Sequence, residues 1–82
     1  MAMKILRDRI IWERKGTGRS TTYKEIAEGL WPPRVRLGPR AVGTPEHEAD
    51  AVIAARVAGK SDDEIRALVR SLVAARSRSN AA

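Results

Sequence analysis

The sequence predicts a mainly α domain with one small β-hairpin, on three observations. Four stretches carry apolar faces of helical length, glycines close three of them, and one short run after Pro33 alternates basic with apolar side chains. With 82 residues and no Cys, the chain makes one small domain that lacks a disulfide to staple its core. Every apolar helix face is therefore needed. No apolar run approaches the roughly 18 residues of a membrane span, and Met1 to Lys4 are not followed by a signal-peptide core, so the expectation is a cytoplasmic protein.

The first helix is expected over residues 8–15, with Asp8 capping its first amides, Ile10, Ile11 and Trp12 as apolar surface, and Gly16 and Gly18 closing it. A second helix follows from residue 19 or 20 to 28, with Thr22, Ile26 and Leu30 on one face and Gly29 as its left-handed cap. Two short helices joined by a glycine turn are a helix-turn-helix. Pro32 and Pro33 forbid continuation. Arg34, Val35, Arg36 and Leu37 then read as a strand with Val35 and Leu37 facing in and the two arginines facing out. Gly38 is expected as the first central residue of a tight reversal, and residues 40–43 return as the second strand. The hairpin is a wing with arginines on its outer face and near its tip.

Thr44, Pro45 and Glu46 start a third helix, with a capping hydroxyl, proline at the first helical position and acids in the first turn. It is expected to reach about residue 58, burying Ala49, Val52, Ile53 and Val57, and to end at Gly59. Ser61 and Glu64 form a capping box for a last helix, whose Ile65, Leu68, Val69, Leu72 and Val73 keep one apolar face. The expected organisation is a winged helix-turn-helix at 1–58, an amphipathic helix at 59–76 and a flexible tail at 77–82.

The net charge is +6, and residues 1–40 hold ten basic side chains against four acids while residues 41–82 hold six of each. An excess confined to one half is the footprint of a polyanion-binding face.

Lys4 to Arg7, Glu13, Arg14, Gly16, Arg19 to Thr21, Tyr23, Ile26, Gly29, Val35, Leu37 to Arg40, Val42 and Gly43 stand in an order and spacing similar to those of the AlpA-type phage regulators and excisionase-like proteins. That family is winged helix-turn-helix and related to the MerR group. It usually carries a large apolar residue at Thr17 and Thr22, an aromatic at Thr44 and often a tryptophan at Val52.

Enzyme and cofactor chemistry find no support in the sequence. Gly59, Lys60 and Ser61 resemble the end of a phosphate-binding loop, but Ala54 stands where its first glycine is needed. The Gly16 to Thr21 run lacks the third glycine of a dinucleotide fingerprint and follows a helix instead of a strand. His47 is the only histidine, so no zinc set forms, and the acids Asp62, Asp63 and Glu64 are accounted for by the helix dipole. Tyr23 and Ser20 lack the general acids, bases and cationic clamps that recombinase nucleophiles need. No enzyme, no cofactor and no metal are expected.

In a winged helix-turn-helix the second helix enters the major groove and the wing lies along the backbone or the minor groove. Arg19, Ser20, Thr21 and Lys24 are then groove-facing, with Arg19 suited to fork onto guanine. Arg34, Arg36 and Arg40 are expected on phosphate, Arg40 also as a minor-groove probe. For Tyr23 two readings stay open: a hydroxyl contact with the DNA backbone, which the resemblance implies, or packing beneath the wing. The stripe of the last helix also has two readings, extra core or a surface for self-association. The leading functional reading is a double-stranded DNA-binding protein of a mobile element in the bacterial nucleoid. It acts as an excisionase beside an integrase, or as a transcriptional regulator. The alternative is an antitoxin-like interaction module that autoregulates its promoter.

Overall fold

The computed structural model describes residues 4–80. Within them the chain runs β1 (Ile5–Arg7), α1 (Asp8–Lys15), α2 (Arg19–Ala27), β2 (Val35–Gly38), β3 (Ala41–Pro45), α3 (Glu46–Val57) and α4 (Asp62–Asn80). The helix pair α1 and α2, the β2–β3 hairpin and the helix α3 form a winged helix-turn-helix, and α4 extends it at the C-terminal side.

Strand β1 is additional to the expected elements, because three residues leave no alternation to detect. It pairs antiparallel with β3 in the register Ile5↔Pro45, Leu6↔Thr44, Arg7↔Gly43, so β3 is the centre of a sheet ordered β1, β3, β2. This ladder takes up Thr44 and corrects its expected role. Pro45 holds the N-cap position of α3 with no side-chain cap, and the Glu46 N–H donates to the Lys4 carbonyl at 2.8 Å. The same ladder requires glycine at 43, where a Cβ would stand 2.5 Å from the Leu6 carbonyl oxygen. Backbone cannot give way as a flexible side chain would.

The wing differs from its expected alternation. Arg36 opposes Val42 and Gly38 opposes Ala41, which leaves Leu37 as the extra residue of a bulge. Leu37 is consequently 45% exposed instead of facing in. The reversal centres on Pro39 and Arg40, so proline and not Gly38 supplies the first central residue, and Gly38 lacks a positive φ. Asp8 is likewise not a cap. It lies in the first turn of α1 behind an N-cap at Arg7, and its carboxylate pairs with Arg34.

The expected stops hold. Gly16, Gly29 and Gly59 all adopt positive φ. After α2 the Leu30 N–H reaches the Glu25 carbonyl at 2.8 Å and the Gly29 N–H that of Ile26 at 3.2 Å, which satisfies the last carbonyls in a Schellman closure. Leu6, Ile11, Leu30, Trp31, Ala49, Val52, Ile65 and Val69 make the core. Val57, expected in the α3 stripe, is 83% exposed because α3 ends there, past the surface that it covers.

Helix α4 opens with the expected capping box: the Ser61 N–H donates to Glu64 Oε1 at 3.0 Å and the Glu64 N–H to Ser61 Oγ at 3.2 Å. The helix continues through Asn80. The Ser61 N–H first, then the Ser61 side chain, hold the Glu64 carboxyl below its ordinary range. A depressed carboxyl stabilises the fold above its unfolded pKa, and that contribution disappears as pH falls through the folded value. Glutamine also serves in a capping box. Glu64→Gln is therefore expected to flatten the loss of helicity between about pH 5 and 3, read by circular dichroism, while leaving the spectrum at neutral pH unchanged.

Candidate nucleic-acid interface

Helix α2 starts abruptly. Gly18 precedes it in extended conformation without a side-chain cap, and the Thr22 N–H is the first to find the Gly18 carbonyl, at 3.2 Å. The amides of the first turn therefore point outward, an arrangement suited to phosphate oxygens. Arg19, Ser20, Thr21 and Lys24 are all exposed around this start. Thr22, one position inward, is buried, with its hydroxyl on the Gly18 carbonyl and Lys15 Nζ at 3.2 Å from it. The sequence thus gives α2 a polar outer face and fastens its inner face to the turn.

Tyr23 is 38% exposed, and two guanidinium groups lie on its ring. The Arg34 Cζ is 4.8 Å and the Arg19 Cζ 5.4 Å from the ring centroid. Arg34 Nη1 also donates to the Tyr23 hydroxyl at 3.4 Å and to Asp8 Oδ2 at 2.7 Å. Hydrogen bonding from Arg19 first, with the charges of both arginines, moves the Tyr23 hydroxyl below its ordinary pKa. For Arg34, partial burial works against the charge, but the hydrogen bond and charge of Asp8 outweigh it and raise the guanidinium above its ordinary value. Arg34, expected to face outward, is half-buried in an ion pair. Arg36 stands exposed on β2, and Arg40 is exposed in the turn at the wing tip.

Ion pairing sharpens the charge split that the sequence carries. In the second half Arg56 pairs with Asp62, Lys60 with Glu64, Arg66 with Asp63 and Arg76 with Glu48. In the first half Lys15 pairs with Glu25 and Arg34 with Asp8, while Arg14 is neutralised by Glu46 and Asp50 from α3. Among the described residues, Lys4, Arg7, Arg9, Arg19, Lys24, Arg36 and Arg40 in the first half and Arg70 on α4 in the second are exposed and in no ion pair. Arg7 and Arg9 belong to this surface although only their charge was legible. The register sets Arg7 opposite Gly43 and Gly43 opposite Val35, so Arg7 lies about 10 Å, two strand spacings, from the β2 backbone between Arg34 and Arg36.

The residues named for self-association lie in or against the chain's own core. Ile65 and Val69 are core residues, and Leu68, Leu72 and Val73 lie against that core. The stripe named for self-association is thus turned toward the chain's own body, with α4 against α3. His47 is exposed in the first turn of α3. Among the described residues no helix is long and apolar enough to cross a membrane.

A family model described as prophage CP4-57 regulatory protein (AlpA) matches residues 4–57. That span runs from the residue before β1 to the last residue of α3. It contains Lys4, Arg7, Arg9, Arg19, Lys24, Arg36 and Arg40 and leaves α4, with Arg70, outside. No curated protein and no solved structure matches the chain significantly. The winged fold, the exposed basic start of α2 and the family match agree, and DNA binding is what the family implies: the chain belongs to the AlpA family of prophage regulatory proteins.

Proposed function

We propose that the protein is a sequence-specific double-stranded DNA-binding factor of a mobile genetic element. In this reading it works as an excisionase, a recombination directionality factor that binds and bends attachment-site DNA for an integrase, and it regulates a promoter by the same occupancy. The observation that carries this reading is the segregation of cations: among the described residues, those exposed and left without a carboxylate partner cluster on α2, the wing and the β1–α1 segment, with Arg70 on α4 the exception. Arg19, Ser20, Thr21 and Lys24 face the major groove, and Arg36 and Arg40 follow the backbone beside it.

A single winged domain reads few base pairs, so excision calls for several copies on neighbouring sites. Their extra contacts offset the few kcal/mol that each bend costs. Leu68, Leu72 and Val73, only partly buried along α4, are the part of the stripe left for contact between such copies. An antitoxin whose last helix folds on its target is disfavoured by the ordering of α4 on the body of the same chain.

With Arg19, Lys24, Arg36 and Arg40 on phosphate or base edges, log K against log salt is expected to slope near −4, at roughly −0.9 per contact. Arg36→Ala or Arg40→Ala weakens all sequences alike and flattens the slope by about one unit, whereas Arg19→Ala costs about 1 to 3 kcal/mol of discrimination. Fluorescence anisotropy on a selected and a shuffled duplex reads both quantities. Equal effects of all three changes on both duplexes would remove this division of labour. Excision is tested with purified protein, the integrase of the same element and DNA bearing both attachment junctions. Recombination that runs equally without the protein, on undistorted DNA in circular-permutation gels, would leave a promoter-binding regulator.

A further inference from the structure

Arg34 is the one wing arginine that the fold has already used. Its guanidinium is 2.7 Å from a carboxylate that lies in the first turn of α1, and both side chains are largely sheltered, at 28% and 23% exposure. Moving Arg34 onto a phosphate would strand Asp8 against a polyanion, so the pair meets DNA as a neutral unit. Beyond Asp8, the same guanidinium stacks on Tyr23 and donates to its hydroxyl. Tyr23 in turn carries Arg19, its i−4 neighbour on α2. Four side chains thus link α1, the residue before β2 and the exposed start of α2. We propose that Asp8 and Arg34 are positioning residues that fix the ring of Tyr23 and, through it, the aim of Arg19 into the major groove.

The physical advantage is preorganisation. An unsupported arginine gives up rotamer freedom when it docks. Stacking on an anchored ring removes part of that cost before DNA arrives, and it does so for one orientation of the fork only. A misaimed fork still neutralises phosphate but no longer matches the acceptors on a guanine edge. Asp8 and Arg34 therefore act on discrimination between sequences and not on the number of phosphates contacted. The same linkage ties the wing to the recognition helix, since Arg34 stands immediately before β2.

The inference rests on the DNA-binding reading above, and the test separates the two. The probe is a duplex enriched from a random pool by the unaltered full chain, set against a shuffled duplex of the same composition, each titrated over a range of salt. Arg34→Lys keeps the charge but loses the planar fork. It is expected to cut the ratio of selected to shuffled affinity about tenfold, the scale of one bidentate base contact, with the salt slope unchanged. The double change Asp8→Ala with Arg34→Ala removes a neutral pair and is expected to do the same, at a melting temperature that shows the chain folded. If the double change instead flattens the slope by about 0.9 with the ratio intact, and lysine substitutes fully for Arg34, then Arg34 is a phosphate contact and the proposal falls. A full chain that enriches no sequence and shows no salt dependence overturns the DNA-binding reading itself.

Discussion

Arg76→Ala is expected to lower the melting temperature by about 12–40 °C, the largest effect expected of any single substitution named for this chain. Glu48 on α3 is fully buried at 0% exposure, and its carboxylate accepts from Arg76 Nε at 2.8 Å and from Nη2 at 2.5 Å. The same Nη2 donates to the Pro33 carbonyl at 2.9 Å, so one guanidinium joins α4 to α3 and to the entry of the wing. Removing it leaves a buried carboxylate without a counter-charge, which costs about 3–5 kcal/mol. In a domain of this size each kcal/mol lowers the melting temperature by roughly 4–8 °C. The double variant Glu48→Met with Arg76→Met, which removes both charges and keeps apolar volume, is expected to recover most of the loss. Thermal unfolding followed by circular dichroism measures all three proteins. A drop of only a few degrees for Arg76→Ala would mean that water replaces the guanidinium and that the pair is superficial.

That pair also marks where the sequence ceases to be legible. Signals that act within a few residues were readable: the left-handed glycines at 16, 29 and 59, the capping box of Ser61 and Glu64, and the prolines that close the helix-turn-helix. Exposure of Arg19, Lys24, Arg36 and Arg40 followed from the same local logic. Interactions across the chain were not readable. Glu48 and Arg76 are 28 residues apart and Asp8 and Arg34 are 26 apart, and nothing in the spacing of either pair distinguishes it from solvated surface charge. Strand β1 exists because β3 offers it an edge, and the bulge at Leu37 follows from the register of the two wing strands.

The departures from the family pattern have a physical counterpart as well. Thr17 and Val52, where the resemblance carries larger apolar side chains, line an open groove of about 420 Å³ beside Trp31. The hydroxyls of Thr17 and Thr44 are buried without a hydrogen-bond partner. A smaller or more polar residue at an inherited apolar position leaves space or an unsatisfied oxygen, and either one costs stability. The cations around the groove, Arg14, Lys15 and Arg56, are each neutralised by a carboxylate. It therefore adds nothing to the basic surface.

With its core thinned in this way, the chain depends on α4, and a truncation after Ala58 is expected to be unfolded. The family match ends at residue 57, which makes 1–58 the obvious minimal domain. Yet Ile65 and Val69 contribute two of the eight core side chains, at 0% and 5% exposure. Each such side chain is worth about 1.5–3 kcal/mol when fully buried. The truncation would also strip Glu48 of Arg76, at the cost already given, and uncover the surface against which Leu68, Leu72 and Val73 lie. Small domains hold only about 5–15 kcal/mol in total, so these losses together reach the stability available. Circular dichroism of the truncated chain should show no cooperative thermal transition. In anisotropy titrations it should show no preference for the selected duplex at concentrations where the full chain prefers it. A truncated chain that melts cooperatively and still binds one site, while losing only cooperative loading on adjacent sites, would reverse this conclusion and make α4 an association helix whose apolar face belongs to the assembly on DNA.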